Sequence, residues 1–187
     1  MKKEIRILGV DDSPFNKFKD KNVLVVGTVY RGGNYMDGLI SCYVDVDGSD
    51  STDKLVALIK KTKHRPQLQL IMLKGIALGG FNVIDIKRLS KKTKIPVIIV
   101  MKKQPNLEKM RKAIKNVRNG SEKWQLIERA GKIRKIRHLF IQSAGVNDKK
   151  INEMIKITCI HGKVPEPIRV AHLIASGIVR GESRGRA

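Results

Sequence analysis

The chain has 187 residues, enough for one well-buried core but short for two, so we expect a single domain. Its 39 Lys and Arg against 17 Asp and Glu give a formal net charge of +22, which favours a polyanionic partner, DNA or RNA. A lysine-rich surface that serves solubility or heat resistance is the alternative explanation. No apolar run approaches the roughly 20 residues of a membrane helix, and the two cysteines lack a C-x-x-C spacing. We therefore expect a cytoplasmic protein with no membrane partner, no disulfide framework and no zinc site.

Segments rich in β-branched residues alternate along the chain with amphipathic segments. The pattern predicts strands at residues 5–10, 22–29, 39–46, 68–73, 97–100 and 138–142. It predicts helices at residues 52–63, 83–92, 107–118 and 122–130, from about 147 to 159, and from about 167 onward. Strands that alternate with helices at these lengths indicate an α/β protein.

Carboxylates stand at the ends of two predicted strands. Asp11 and Asp12 follow the first strand, and the period-two alternation of residues 39–46 places Asp45 and Asp47 on one face of the third. Three leading strands, a helix and a fourth strand would bring these strand ends to a common edge. Carboxylate oxygens can hold Mg²⁺ or Mn²⁺ there. The alternative interpretation is that these acids only form turns.

The segment KVPEPIRVAH near the C-terminus is a second candidate for chemistry. If a helix begins near Pro167, Arg169 and His172 share one stripe of that helix, while Val170 and Leu173 face inward. The histidine can shuttle a proton or bind a metal, because its ordinary pKa is close to neutral. An ordinary surface or half-buried histidine is the alternative.

Two separate motifs in this order resemble those of endonuclease V. ILGVDDSPF resembles its first-strand motif, in which an aspartate follows a Gly-Val pair. KVPEPIRVAHLIA resembles its C-terminal motif of Pro-Glu-Pro, Arg and then Ala-His or Ala-Asp. The GFNVIDI run and the ending GIVRGESRGRA are more similar still to the archaeal endonuclease dU group. The resemblance therefore covers nearly the whole chain.

The resemblance implies a ribonuclease-H-like α/β fold, with a mixed central sheet flanked by helices. We expect one nuclease-type domain over residues 1–179 and a basic, mobile tail over residues 180–187. The implied activity is metal-dependent cleavage of nucleic acid that contains a deaminated base, uracil or hypoxanthine, in DNA repair. The implied cofactor is Mg²⁺ or Mn²⁺.

Carried over by position, the motifs assign roles to individual residues. Asp11 would be the metal ligand of the first strand, and Asp45 or Asp47 would stand where endonuclease V has a glutamate after its third strand. His172 would lie near the second metal position. The expected catalytic residues are thus Asp11, Asp47 and His172, and the expected metal ligands are Asp11, Asp45 and Asp47.

The chain departs from the endonuclease V pattern at Lys74-Gly75, where that family has an Asp-Gly pair. A charged ammonium cannot coordinate a metal, although it can hold a phosphate. The alternative function is therefore a non-catalytic nucleic-acid-binding protein that has lost a metal ligand at this position. A small-molecule enzyme of the doubly wound type is disfavoured, because no G-x-G-x-x-G or Walker motif occurs.

Basic and glycine residues near these motifs are expected to contact nucleic acid. The glycine-rich loop after the fourth strand can admit a base displaced from the stack, and arginines near the C-terminus can contact phosphates. The expected binding residues are Lys74, Gly79, Gly80, Arg169, Arg180, Arg184 and Arg186. Extensive stacking on aromatic platforms is not expected, because only 4% of the residues are aromatic.

Overall fold

Residues 5–183 are described by a computed structural model, in which a mixed sheet is flanked by helices. The elements in chain order are β1 (Arg6–Asp12), β2 (Asn22–Arg31), β3 (Tyr35–Asp45), α1 (Ser51–Lys61), β4 (Leu68–Lys74), β5 (Ala77–Leu78), β6 (Asn82–Val83), α2 (Ile86–Thr93), β7 (Val97–Met101), α3 (Leu107–Ile114), α4 (Gly120–Arg129), β8 (Arg134–Ile136), β9 (Leu139–Ala144), α5 (Asp148–Thr158) and α6 (Glu166–Arg180). None of these helices is long and apolar enough to cross a membrane.

Seven strands form the main sheet in the order β3-β2-β1-β4-β7-β9-β8. β2 pairs in antiparallel orientation with both β1 and β3, while β4 runs parallel to β1 on one side and to β7 on the other. β9 and β8 then complete the sheet in antiparallel pairing. The C-terminal ends of β1, β4 and β7 therefore lie at one edge, and the predicted α/β class with a mixed sheet is confirmed.

The strand period of two gives the sheet two apolar faces, each covered by helices. On β1, Leu8 and Val10 pack in a core with residues from α1 and α2, such as Leu55 and Leu89. Ile7 points to the opposite face. It belongs to a second core with Ile151, Met154 and Ile155 of α5 and with Ile168 of α6.

Helix α6 packs on β1 and β2 through its small residues. Ala171 and Ala175 are fully buried and cluster with Val26, whereas Val170 and Leu173 are only half-buried. The prediction that Val170 and Leu173 form the inward stripe was wrong. Helical spacing predicts an inward stripe of bulky apolar residues. In the structure, however, the closest contacts of α6 with the sheet are made by alanines, whose side chains have only one carbon.

The structure changes two predicted boundaries, the ends of β3 and α6, and part of the predicted tail lies outside the described residues. β3 ends at Asp45, so Asp47 is not on the strand; its backbone has a positive φ of 49°, and period-two alternation does not extend to it. Helix α6 continues to Arg180 and ends at Gly181, whose φ is 78°. Arg184 and Arg186 of the predicted mobile tail lie outside the described residues.

Candidate functional site

Three side chains meet at the edge formed by the ends of β1 and β4, and we call them the Asp11 centre: Asp11, Lys74 and His172. Lys74 Nζ lies 2.8 Å from Asp11 Oδ2 and 2.9 Å from His172 Nδ1. His172 Nδ1 in turn lies 2.8 Å from the same Asp11 oxygen. The Asp11 side chain is 3% exposed, whereas the lysine and histidine side chains are 32% and 16% exposed. The centre therefore has a buried acid below two groups that solvent can reach.

Strand pairing and one glycine bring these residues together. Val10 pairs with Leu73 across the parallel β1–β4 ladder, so the next residue on each strand, Asp11 and Lys74, are neighbours. α6 begins directly on β1, because a Cβ on Gly9 would lie 2.3 Å from the carbonyl carbon of Pro167. Thr28 Oγ1 also donates to the Pro167 carbonyl at 2.6 Å. One and a half turns later, the helix brings His172 over the acid.

The short contacts within the Asp11 centre limit which of its atoms can carry protons. Lys74 donates to the carboxylate, but a carboxylate oxygen and an imidazole nitrogen only 2.8 Å apart also need one proton between them. Burial raises the pKa of Asp11, and the charge of Lys74 opposes that rise. Burial, followed by the charge of Lys74, lowers the pKa of His172, so its imidazole is mainly neutral at pH 7.

The residues of the Asp11 centre do not fit a divalent cation. Mg²⁺ and Mn²⁺ prefer several oxygen ligands, whereas this centre offers one carboxylate and one imidazole, and both contact the lysine ammonium. Across residues 5–183, no group of three or more His, Cys, Asp or Glu is arranged to hold a metal ion. The ammonium instead supplies the positive charge beside Asp11.

A second set of contacts lies on the opposite face of β1, around the glycine loop, which we define as residues 75–81. Asp12 Oδ2 accepts a hydrogen bond from the backbone of Gly79 at 2.7 Å. The carbonyl of Gly79 accepts from the backbone of Asp47 at 2.8 Å, and Asp47 Oδ1 accepts from the backbone of Phe81 at 2.7 Å. Burial raises the pKa of Asp12 to about 6 despite the Gly79 hydrogen bond. These two acids therefore hold the glycine loop in place.

Asp45 and Asp47 have partners of their own, outside the Asp11 centre. The Asp45 carbonyl accepts from the Asn82 side chain at 2.9 Å, and the Asp45 residue is exposed at the end of β3. Asp47 is paired with Lys17 at 3.4 Å. The sequence interpretation grouped both acids with Asp11, whereas the structure assigns them to the turn after β3 and to the glycine loop.

Lys123 is a buried side chain that the sequence interpretation missed. It is 3% exposed and donates to the backbone carbonyl of Asp47. Burial lowers its pKa. The signal was present in the sequence, because Lys123 shares the inward stripe of α4 with Ile127, four residues later. A lysine on an apolar helix stripe indicates a buried polar contact.

The arginines expected to bind nucleic acid fall into two groups. Arg169 forms a two-point pair with Glu166 in the first turn of α6, with Nε–Oε1 at 2.9 Å and Nη2–Oε2 at 2.7 Å. The glutamate is buried, so this arginine balances a buried charge. Arg180 is exposed at the end of α6 and, with Lys102, is one of the cations that lower the pKa of His172.

Two cavities adjoin the Asp11 centre and share Gly75. One, of about 290 Å³, is lined by Lys74, Lys102 and apolar residues of β7 and α6. The other, of about 240 Å³, opens between the glycine loop and the segment after β7, and Gly80 also lines it. Its walls are mostly apolar: Ile76, Ala77, Phe81, Val83, Met101, Pro105, Leu107, Met110, Ile127 and Ile133, with Gln142 as a polar group. The geometry joins a positively charged cleft to an apolar pocket.

The sheet order, the helices on both faces and the acid at the end of β1 define a ribonuclease-H-like α/β protein. Residues 3–179 match the family described as endonuclease dU. The chain belongs to this endonuclease dU family.

Relatives and solved structures agree with this assignment. A UPF0215 protein of Methanosarcina mazei is 46% identical over 193 residues, which cover 100% of this chain and 97% of the relative. The crystal structure of a protein of unknown function from Archaeoglobus fulgidus is 41% identical, with a TM-score of 0.88 and coverage of 94% of this chain and 99% of that one. Ciona intestinalis endonuclease V, in complex with a 24mer DNA containing an inosine followed by a ribo-adenosine, is 13% identical; its TM-score is 0.63, with coverage of 95% and 87%.

Proposed function

We propose that this protein is an endonuclease that cleaves nucleic acid beside a deaminated base, uracil or hypoxanthine, and acts in DNA repair. The observation that carries the proposal is the convergence of Asp11, Lys74 and His172 at the strand edge, next to an apolar pocket. The description of the family and the inosine-containing DNA bound by the Ciona enzyme support the same substrate class. Residues 1–179 would act as one nuclease-type domain.

Phosphate binding is the first step of this proposal. Lys74, Lys102 and Arg180 surround His172 with positive charge, and the chain as a whole carries +22. Such a field draws a polyanion toward the strand edge. A scissile phosphate would be held by Lys74, the lysine of the Asp11 centre, whose side chain is 32% exposed to solvent.

Hydrolysis at the Asp11 centre can be written with the residues of this chain. If His172 Nδ1–H donates a hydrogen bond to the Asp11 carboxylate, the lone pair of Nε2 is free to take a proton from the attacking water. The water oxygen bonds to phosphorus, the phosphorus–oxygen bond to the leaving group breaks, and Lys74 protonates the leaving oxygen. The imidazolium can then pass its Nδ1 proton to Lys74, because Nδ1 and Nζ are 2.9 Å apart, and proton exchange with water restores the tautomer that has its proton on Nδ1.

Base recognition would use the apolar pocket. An endonuclease that reads a lesion takes the base out of the stack, and stacking energy is recovered when the base enters an apolar cavity. The pocket shares Gly75 with the cleft that contains Lys74, so a displaced base and its phosphate can bind at the same time. Gln142 is the polar side chain of this pocket; its Nε2 donates to the Gly131 carbonyl at 2.7 Å, so its Oε1 could accept a hydrogen bond from a base edge.

The test is a cleavage assay on strands that contain one uracil or one hypoxanthine, as DNA and as RNA, with undamaged strands as controls. Reactions run in Mg²⁺, in Mn²⁺ and in EDTA. Cleavage at the lesion by the wild-type protein, retained in EDTA, is the expected result. Absence of lesion-dependent cleavage under every condition contradicts the proposal.

A second candidate function, nucleic-acid binding without hydrolysis, is favoured by Lys74 itself. Lys74→Asp removes the ammonium and places two adjoining acids, Asp11 and the new aspartate, beside His172, which is a better ligand set for Mg²⁺. If the wild-type protein binds nucleic acid without cutting it and Lys74→Asp cuts in Mg²⁺ alone, the binding function is correct. For the nuclease, Lys74→Asp is instead expected to lose EDTA-resistant cleavage.

A further inference from the structure

The turn between β1 and β2 holds an aromatic ring in solvent. Residues 16–20 form a tight turn with four hydrogen bonds: Asn16 N–H donates to Asp20 Oδ2 at 2.7 Å, Phe18 N–H to Asn16 Oδ1 at 2.9 Å, and the N–H groups of Lys19 and Asp20 to the Asn16 carbonyl at 3.1 and 2.9 Å. Phe18 lies at the apex of this turn. Its position is therefore fixed by hydrogen bonds rather than left to an irregular loop.

Phe18 is 94% exposed, against 61% for Tyr35 and Ile178, the next most exposed of the large apolar residues described. A buried phenylalanine would stabilise the fold relative to an exposed one, and the turn forgoes that gain. The flanking residues, Lys17 and Lys19, are both exposed lysines. A single ring between two cations is not part of a large apolar patch, so its surroundings do not favour a protein partner.

The turn adjoins the proposed substrate site. It follows Asp11 and Asp12 in the chain, and Lys17 Nζ lies 3.4 Å from the Asp47 carboxylate that holds the glycine loop. The ring of Phe15 contacts the same loop, since its Cζ would lie 3.7 Å from a Cβ on Gly80. Gly80 lines the apolar pocket. The segment that carries the exposed ring therefore contacts the glycine loop, which lines that pocket.

We propose that Phe18 stacks on a nucleobase of the bound strand, while Lys17 and Lys19 contact the phosphates on either side of that base. This proposal rests on the nucleic-acid function proposed above. Every base offers a π-face, so the contact is independent of sequence and supports an opened or single strand beside the pocket. One ring in a chain with 4% aromatic residues acts as a single stacking contact, not as an extended platform.

The test compares Phe18→Ala with the wild-type protein in titrations of a fluorescein-labelled 20-nucleotide single strand at several salt concentrations. Loss of one stacked base is worth about 1–3 kcal/mol, so the Kd should rise roughly 5- to 150-fold with an unchanged dependence on salt. Lys19→Ala should weaken binding and reduce the slope of log K against log salt by about 0.7. Tyr35→Ala is the matched control, because it removes another exposed ring, at the start of β3 and thus at the end of that strand opposite the glycine loop. This variant should bind like the wild type.

A strand built only of abasic sugar-phosphate units separates stacking from charge. Wild type and Phe18→Ala should bind this strand with equal affinity. Phe18→Trp should bind the base-containing strand more tightly than Phe18→Ala does, and its tryptophan fluorescence should be quenched on binding. The stacking proposal is overturned if wild type and Phe18→Ala bind base-containing strands with equal affinity. It is also overturned if Phe18→Ala loses as much affinity for the abasic strand as for the base-containing strand. If the wild type binds strands and needs Phe18 but never cleaves, the nuclease function fails while stacking stands. If it binds no strand at all, both fail.

Discussion

Asp11 and Asp12 are neighbours in the sequence, yet they lie on opposite faces of β1 and meet different partners. Asp11 faces α6, where it contacts the side chains of Lys74 and His172. Asp12 faces the glycine loop, where it accepts a backbone hydrogen bond from Gly79. Both carboxyl groups are largely buried, and burial raises the pKa of each.

The difference lies in the partners rather than in the burial. A lysine and a histidine can change protonation state during a reaction, whereas a backbone N–H group only donates a hydrogen bond. The same residue type at adjacent positions is thus suited to chemistry on one face of the strand and to positioning a loop on the other. Three experiments test the roles of the two faces of β1.

The largest effect is expected on cleavage. Asp11→Asn should lower single-turnover cleavage of a uracil-containing strand by about 100- to 10,000-fold, because it removes the charge that orients His172 and Lys74. Asp12→Asn keeps a side-chain oxygen for the Gly79 hydrogen bond and should retain cleavage within about tenfold. An equal loss in both variants would mean that the two faces share one function. Strand binding by Asp11→Asn should be unchanged or tighter, since a negative charge is removed.

The next effect concerns the fit of α6 on β1. A Cβ on Gly9 would meet the Pro167 carbonyl carbon at 2.3 Å and its oxygen at 2.5 Å, and backbone atoms cannot move aside cheaply. Gly9→Ala should therefore reduce the free energy of unfolding in urea by about 3 kcal/mol. Gly162→Ala is the matched control, because nothing lies within 4 Å of its Cβ position. The close approach is unimportant if both variants unfold at the same urea concentration.

The smallest expected effect concerns the free energy of unfolding that is lost when the buried Asp12 is ionised. Its pKa is 3.8 in the unfolded reference and about 6 in the folded protein, so the folded state binds the proton more tightly. The resulting stabilisation is fully present below about pH 4 and is lost as the pH rises through about 6. Asp12→Asn should consequently raise the free energy of unfolding at pH 7.5 by at most about 3 kcal/mol. Urea unfolding at pH 7.5 and at pH 4 checks this, and a gain of equal size at both values would contradict it.

The sequence motifs placed Asp11 and His172 in one site, and the structure brings them within hydrogen-bonding distance. The departure at Lys74 was also visible in the sequence, but its contact with both partners was not. The grouping of Asp45 and Asp47 with Asp11 came from strand order, from period-two alternation and from the expected position of a family glutamate. Strand order brings ends to one edge, but it does not tell which face a side chain occupies or where a strand stops.

The sequence alone is enough to predict the alternation of strands and helices, the basic character of the chain and the motifs that carry the family. These are local or additive properties, because apolar period and charge depend on nearby residues. The tertiary structure alone decided that Lys74 lies between Asp11 and His172, that Asp12 turns to the glycine loop, and that α6 packs through alanines. Those contacts join residues 60 or more positions apart in the chain, and only the packed sheet fixes their distances.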